Sequence, residues 1–318
     1  MRSGEVLENK QAHISKPRVF RAETVFHLVQ AIVLATRFDR GRNIFSLDTT
    51  LQSTVDVDAL ATIGEVRFDT RPKSKVSRLL TIMFGSTLYP FLRQGHDFFG
   101  PILNRPINLL LSQGRSQSIV LLNDGRFSDD VSIRGRRNQI YYPTNLRRLF
   151  SYFIHAKHPS VSGLVFTEKS AQPRPPLASH QAEIFIDVEE TLIASGTKAQ
   201  ATIKAVFGAQ ISLDITRFST LVVLPFFEIL AQEERRKIVR FAQMHKLALE
   251  RTLFKIHPRT SVPSDLSLPT GEGLWIETGT YPVELLLTTG HTFQQAWFID
   301  TSANLRNVAI VTRSVNTL

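Results

Sequence analysis

The sequence predicts an α/β protein organised as two units, each built around a parallel sheet. Short apolar runs alternate with longer helix-like ones from about residue 17 onward. That alternation is the pattern of βα units, in which crossover helices cover a parallel sheet. A second series of the same kind restarts at TLVVLP (220–225). The length agrees, because 318 residues exceed what a single hydrophobic core usually organises.

Taken in order, MRSGEVLENKQAHISKPR has no continuous apolar stretch and does not read as a secretory signal. Residues 1–16 are expected to be a flexible lead-in. Strands are predicted at PRVFRAE (17–23), NIFSLD (43–48), GEVRFD (64–69), SIVLLND (118–124), SGLVFT (162–167) and AEIFID (182–187). VFHLVQAIVLATR (25–37) has the three-to-four-residue apolar spacing of a core-facing helix. The proline-rich SAQPRPPLAS (170–179) reads as an exposed loop. After TLVVLP comes the amphipathic segment 228–250, then strands at TLFKI (252–256), GLWIE (273–277), QAWFID (295–300) and NVAIVT (307–312), with a helix opening near PVELLL (282–287). The change of unit is placed within ISLDITRF (211–218), giving domains at 17–213 and 214–318. No internal repeat is visible.

Composition narrows the chemistry. A hydrophobic fraction of 42% and a charged fraction of 21% are those of a soluble globular protein. The absence of cysteine excludes disulfides, thiolate-bound zinc and a cysteine nucleophile, and fits a reducing cytoplasm. The longest apolar stretch, 218–230, is interrupted by Pro225 and is too short to span a bilayer. A net charge of +10 favours anionic partners. The 22 phenylalanines lie in apolar runs that look like core, so the stacking platform of a nucleic-acid binder is missing and no nucleic acid is expected. NLRRLFSYFIHAK (145–157) sets Leu146, Leu149, Phe150, Phe153 and Ile154 near one face beside Arg147, Arg148 and Lys157. It reads either as a core helix with a basic rim or as a peripheral contact with an anionic membrane.

Three strand ends of the second unit converge in character. His257-Pro258-Arg259 follows TLFKI, Thr280-Tyr281-Pro282-Val283-Glu284 precedes a helix, and Asp300-Thr301-Ser302 follows QAWFID. Ligands of open α/β sheets bind at carboxyl ends of strands. There a histidine and hydroxyls donate to a phosphate, while Glu284 accepts from ribose hydroxyls. The bland alternatives are a helix cap at Thr301-Ser302 and a helix start at Pro282. His27, inside the first helix, reads as a core or rim histidine or, from its place just after the first strand, as a residue near the ligand, and His96-Asp97 as a pair that could orient an acceptor of the group the nucleotide carries. Asp56-Val57-Asp58 has the spacing of a metal-binding carboxylate pair but no obvious strand end, so no metal is expected. His158-Pro159 repeats the His-Pro dipeptide on the wrong side of its strand and reads as a loop.

The His257-Pro258 pair, the Thr301-Ser302 pair and Asn123-Asp124-Gly125 at the end of SIVLLNDGRF resemble the motifs of bacterial sialyltransferases, including the capsule polysialyltransferases. That group has a His-Pro motif, a downstream hydroxyl pair and an acidic-acidic-glycine motif. This chain departs from it with Asn123 in the first acidic position and Thr301 in the first hydroxyl position. The resemblance implies GT-B architecture, two Rossmann-like domains facing a cleft, with an N-terminal acceptor side and a C-terminal nucleotide-sugar side. It implies inverting transfer of sialic acid from CMP-sialic acid to a glycan hydroxyl, in bacterial surface polysaccharide synthesis, without a cofactor. Location would be cytoplasmic, either free or peripheral at the inner face of the cell membrane. Asp124 is then the base, and His257, Thr301 and Ser302 stabilise the leaving phosphate. Two alternatives stay open: a transferase of another nucleotide-activated sugar or polyol phosphate, and a basic nucleic-acid-binding protein without catalysis.

Overall fold

The computed structural model describes residues 16–38, 41–69, 96–101, 118–123, 156, 158–167, 177–193, 196–208, 215–223, 251–255, 275–277, 285–286, 290–298 and 315–317. The chain divides into two compact units, Met1–Val188 and Glu189–Leu318. The sheets change between residues 185 and 220. The sequence places the change of unit within 211–218, between the α-helical segment 198–207 and the strand that starts at Thr220, whereas the units divide between Val188 and Glu189.

The first unit runs β1 (Arg18–Ala22), α1 (Val25–Arg37), β2 (Asn43–Asp48), α2 (Val57–Ala61), β3 (Glu65–Asp69), β4 (Asp97–Gly100), β5 (Ser118–Leu121), β6 (Val161–Phe166) and β7 (Ala182–Phe185). Its seven strands form one sheet in the order β3-β2-β1-β4-β5-β6-β7, and every neighbouring pair is parallel. This is the doubly wound order, in which the winding reverses between β1 and β4. β2 is buried along its whole length and β1 from Val19 onward, as parallel strands covered on both faces must be. The edge strand β3 is only half-buried.

Phe20, Phe45 and Phe99 are register partners on β1, β2 and β4, and their rings stack at 5.4 and 4.7 Å. Helix α1 starts where the Thr24 hydroxyl accepts from the His27 N–H at 3.2 Å, and it is buried from His27 to Ala35. Asp56 caps α2 by accepting from the Ala59 N–H at 3.0 Å. That bond gives the Asp-x-Asp segment a structural role.

In the second unit, α3 (Val188–Ile193) leads into α4 (Lys198–Phe207), followed by β8 (Thr220–Val223), β9 (Thr252–Lys255), β10 (Trp275–Glu277), β11 (Gln295–Phe298) and β12 (Val315–Thr317). The five strands pair in parallel in the order β10-β9-β8-β11-β12. This repeats the arrangement of the first five strands of the other sheet.

Every predicted strand within the described residues is present, shifted by at most a few residues. Two strands were not foreseen. β4 is four residues long, two of them phenylalanines between polar ends, and gives no periodic signal. β12 is three residues long. The strand expected at 307–312, the amphipathic segment 228–250, nearly all of 145–157 and residues 170–176 of the expected loop lie outside the described residues. Among the described residues no helix is long and apolar enough to cross a membrane.

Candidate functional site

The carboxyl edge of the first sheet gathers a buried cluster of charge. In-register residues on parallel strands share a face, so the pairings Arg21 with Ser46 and Asp48 with Asp69 place these four side chains together. Arg21 is 1% exposed. Its Nη1 donates to Ser46 Oγ at 3.0 Å and to Asp69 Oδ2 at 3.3 Å, while Glu23 and Asp48 each place a carboxylate oxygen 3.9 Å from a guanidinium nitrogen. Ser46 also donates to Asp69. A buried guanidinium is tolerable only with such partners.

The other Asp48 oxygen accepts from the Thr50 N–H at 3.0 Å and its hydroxyl at 2.8 Å, which fixes the turn after β2. Gly100, the last residue of β4, makes room for Arg21: a Cβ there would lie 3.0 Å from the Arg21 Cβ and 2.8 Å from the Phe98 ring. The cluster therefore sits at the β1–β4 reversal, where ligands of this topology bind. Asp69 retains the most solvent access, 17% of its side chain, and a carboxylate in that position can accept from hydroxyl groups.

A second feature joins α1 to β5. Gln30 is wholly buried, and its side-chain amide engages the backbone of Asn123 twice. Nε2 donates to the Asn123 carbonyl at 2.9 Å, and the Asn123 N–H donates to Oε1 at 2.8 Å. His27 lies three residues before Gln30 on the same side of α1 and is also buried. Its position in the first turn puts it at the carboxyl edge of the sheet.

His96 stands at the opposite edge, just before β4, where the strands begin. Burial and then Arg42 push the imidazole below its ordinary value, with Asp97 pulling the other way. Burial pushes Asp97 up, against Lys16, Arg18 and His96. The two acceptor-side histidines expected from the sequence are thus not brought together. Nearby, Glu65 pairs with Arg42 and Arg67, and hydrogen bonds from these two hold its carboxyl below the ordinary value.

Asp124, His257, Pro258, Arg259, Glu284, Thr301 and Ser302 lie outside the described residues. Their strands are described. Asp124 comes directly after Asn123, His257 is two residues beyond β9, and Thr301 is three beyond β11. β5, β9 and β11 are all interior strands, and β9 and β11 flank β8 at the reversal of the second sheet.

No family model and no curated protein sequence matches the chain. Among solved structures, a Listeria monocytogenes protein assigned as a UDP-N-acetylglucosamine 2-epimerase is similar with a TM-score of 0.51 at 8% identity, covering 92% of this chain and 76% of that one. A sialyltransferase from Photobacterium damsela is similar with a TM-score of 0.47 at 12% identity, covering 96% of this chain and 74% of that one. The fold is of the GT-B type.

Within that fold, sequence reading missed the Arg21 cluster and Gln30. The signals were present. The predicted strands 17–23, 43–48 and 64–69 each close on an acid, Glu23, Asp48 or Asp69, and the first carries Arg21 amid apolar residues. Gln30 is a lone amide in a long apolar run, and a buried amide is expected to be bonded. In the second unit Lys255, the last residue of β9, is buried. His158 is buried before β6, and its ring Nδ1 accepts from the Ser160 N–H at 3.1 Å, in keeping with a turn residue on the amino side of its strand.

Proposed function

We propose that the protein is a glycosyltransferase that moves sialic acid from CMP-sialic acid to a glycan hydroxyl with inversion. The observation that carries this reading is the placement of the two motifs along the chain. Asn123-Asp124-Gly125 begins just past the carboxyl end of an interior strand in one parallel sheet, and His257-Pro258 follows such an end in the other. In the reaction the acceptor oxygen attacks the anomeric carbon, and the bond from that carbon to the CMP phosphate oxygen breaks. CMP leaves with the bonding electrons, and Asp124 takes the acceptor proton. His257, Thr301 and Ser302 donate to the phosphate as its charge develops, Arg259 adds positive charge, and Glu284 accepts from ribose hydroxyls. A monophosphate leaving group held by such donors needs no divalent ion.

The test is a thermal-shift panel of CMP, UDP, GDP and ADP, each with and without a chelator. CMP is expected to raise the melting temperature in both conditions. Stabilisation by UDP alone would favour a uridine-activated sugar, the alternative to which the fold likeness to a UDP-N-acetylglucosamine 2-epimerase lends weight. Substitutions then separate chemistry from binding. Asp124→Asn should slow transfer by about two to four powers of ten and leave CMP affinity intact. His257→Ala should weaken CMP binding by roughly 1.5–3 kcal/mol as well as slowing transfer. Undiminished transfer by Asp124→Asn would remove the assigned base.

A further inference from the structure

We infer that Gln30 is a positioning residue for this reaction: by clamping the backbone of Asn123 it sets the point from which the chain continues to Asp124. The inference rests on the reading of Asp124 as the base. Gln30 and Asn123 are 93 residues apart in the chain and both wholly buried. A primary amide presents one donor and one acceptor side by side, the pair that a neighbouring strand would present. β5 ends at Leu121, and the Leu122 N–H still donates to the Gly100 carbonyl at 3.1 Å. At the next residue the amide of Gln30 takes over, with bonds of 2.8 and 2.9 Å.

An amide that served only its own helix would bond there, as the longer 3.3 Å contact from Nε2 to the Phe26 carbonyl does. Here both ends of the amide engage the first residue of the motif, the one directly before Asp124. Leucine offers neither bond, and a glutamate carboxylate only accepts. A base acts only within hydrogen-bond reach of the proton it removes, and a displacement of about 1 Å costs about 10²-fold in rate. Gln30 thus acts on the reaction through the main chain, without touching the substrate.

The experiment compares Gln30→Leu, Gln30→Glu, Asp124→Asn and the double variant Gln30→Leu/Asp124→Asn. CMP-sialic acid is the donor, lactose the acceptor probe, and donor hydrolysis is followed in parallel. Melting temperature and CMP affinity are measured on the same samples, so that rates refer to folded protein. Gln30→Leu is expected to lower kcat about 10–100-fold with CMP affinity unchanged, and to cost nothing further in the Asp124→Asn background. Gln30→Glu should recover as the pH falls, because a protonated carboxyl both donates and accepts as the amide does. Its kcat–pH profile should therefore differ from that of the unmodified protein.

Normal kcat in Gln30→Leu, or a loss that adds to that of Asp124→Asn, overturns the inference and leaves the base assignment standing. Full activity of Asp124→Asn, or no consumption of donor by the unmodified protein, overturns the functional reading and the inference with it. If Gln30→Leu does not fold, Gln30→Glu decides alone, and an unshifted pH profile overturns the inference.

Discussion

The two edges of the first sheet are both charged, yet they are built differently. At the amino edge Arg42 pairs with Glu65 while 61% of its side chain is exposed, and Arg67 joins the same carboxylate at 38%. At the carboxyl edge Arg21 is 1% exposed among Ser46, Asp48, Asp69 and Glu23. Solvent screens the first group, and its members can be lost singly with little consequence. The second group lies in a low-dielectric interior, where each charge depends on the others. Carboxyl ends are where this topology holds ligands, so interior charge has accumulated where fixed, dehydrated hydrogen-bonding groups can serve a ligand.

The contrast can be broken most forcefully at Arg21. Arg21→Met leaves buried carboxylates without their guanidinium and is expected to cost about 3–5 kcal/mol of unfolding free energy, read by urea denaturation. A loss below 1 kcal/mol would show that the cluster is no more interdependent than the amino edge. Gly100→Ala should cost about 1–3 kcal/mol in the same measurement, because its Cβ would press on the Phe98 ring and the Arg21 Cβ. An unchanged midpoint would show that β4 yields freely.

A smaller effect is expected at His96, and only in acid. Burial lowers its pKa in the folded state below the ordinary 6.5. Its contribution to stability is therefore present above pH 6.5 and is lost as the pH falls through the folded-state value. His96→Gln should keep more of its neutral-pH stability at pH 5 than the unmodified protein does. Parallel stability curves for the two proteins would contradict this. The smallest effect belongs to Arg42→Ala, about 0–1 kcal/mol at neutral pH. Because Arg42 helps to depress His96, the same substitution should also soften the acid sensitivity. A large loss at Arg42 would erase the distinction between the edges.

Much of the scaffold was legible. PRVFRAE, NIFSLD, TLVVLP and TLFKI are compact apolar runs, and burial on both faces of a parallel sheet demands that composition. Helix α1 matches its predicted bounds because a capping threonine, an unbroken apolar face and a terminal arginine all agree. β4 escaped notice because DFFG is too short for a period-two pattern to emerge, although it pairs with β1 at the point of reversal. Of the candidate site, the motif residues were visible as polar interruptions at strand ends, and His27 as a polar residue in a core helix. Arg21 was passed over because a charged residue inside a strand reads locally as one facing solvent.

The sequence by itself determined the βα alternation, the two-unit organisation and the strands that lead to Asp124, His257 and Thr301, because apolar period and turn chemistry act within a few residues. Only the tertiary structure decided the order β3-β2-β1-β4-β5 and its repetition in the second sheet. With that order came the company of Arg21, whose partners Ser46 and Asp69 are 25 and 48 residues away, and the clamp of Gln30 on Asn123 across 93. Parallel neighbours are joined by crossovers, so the groups they bring together are distant in the chain. No local pattern of residues records which strand will lie beside which.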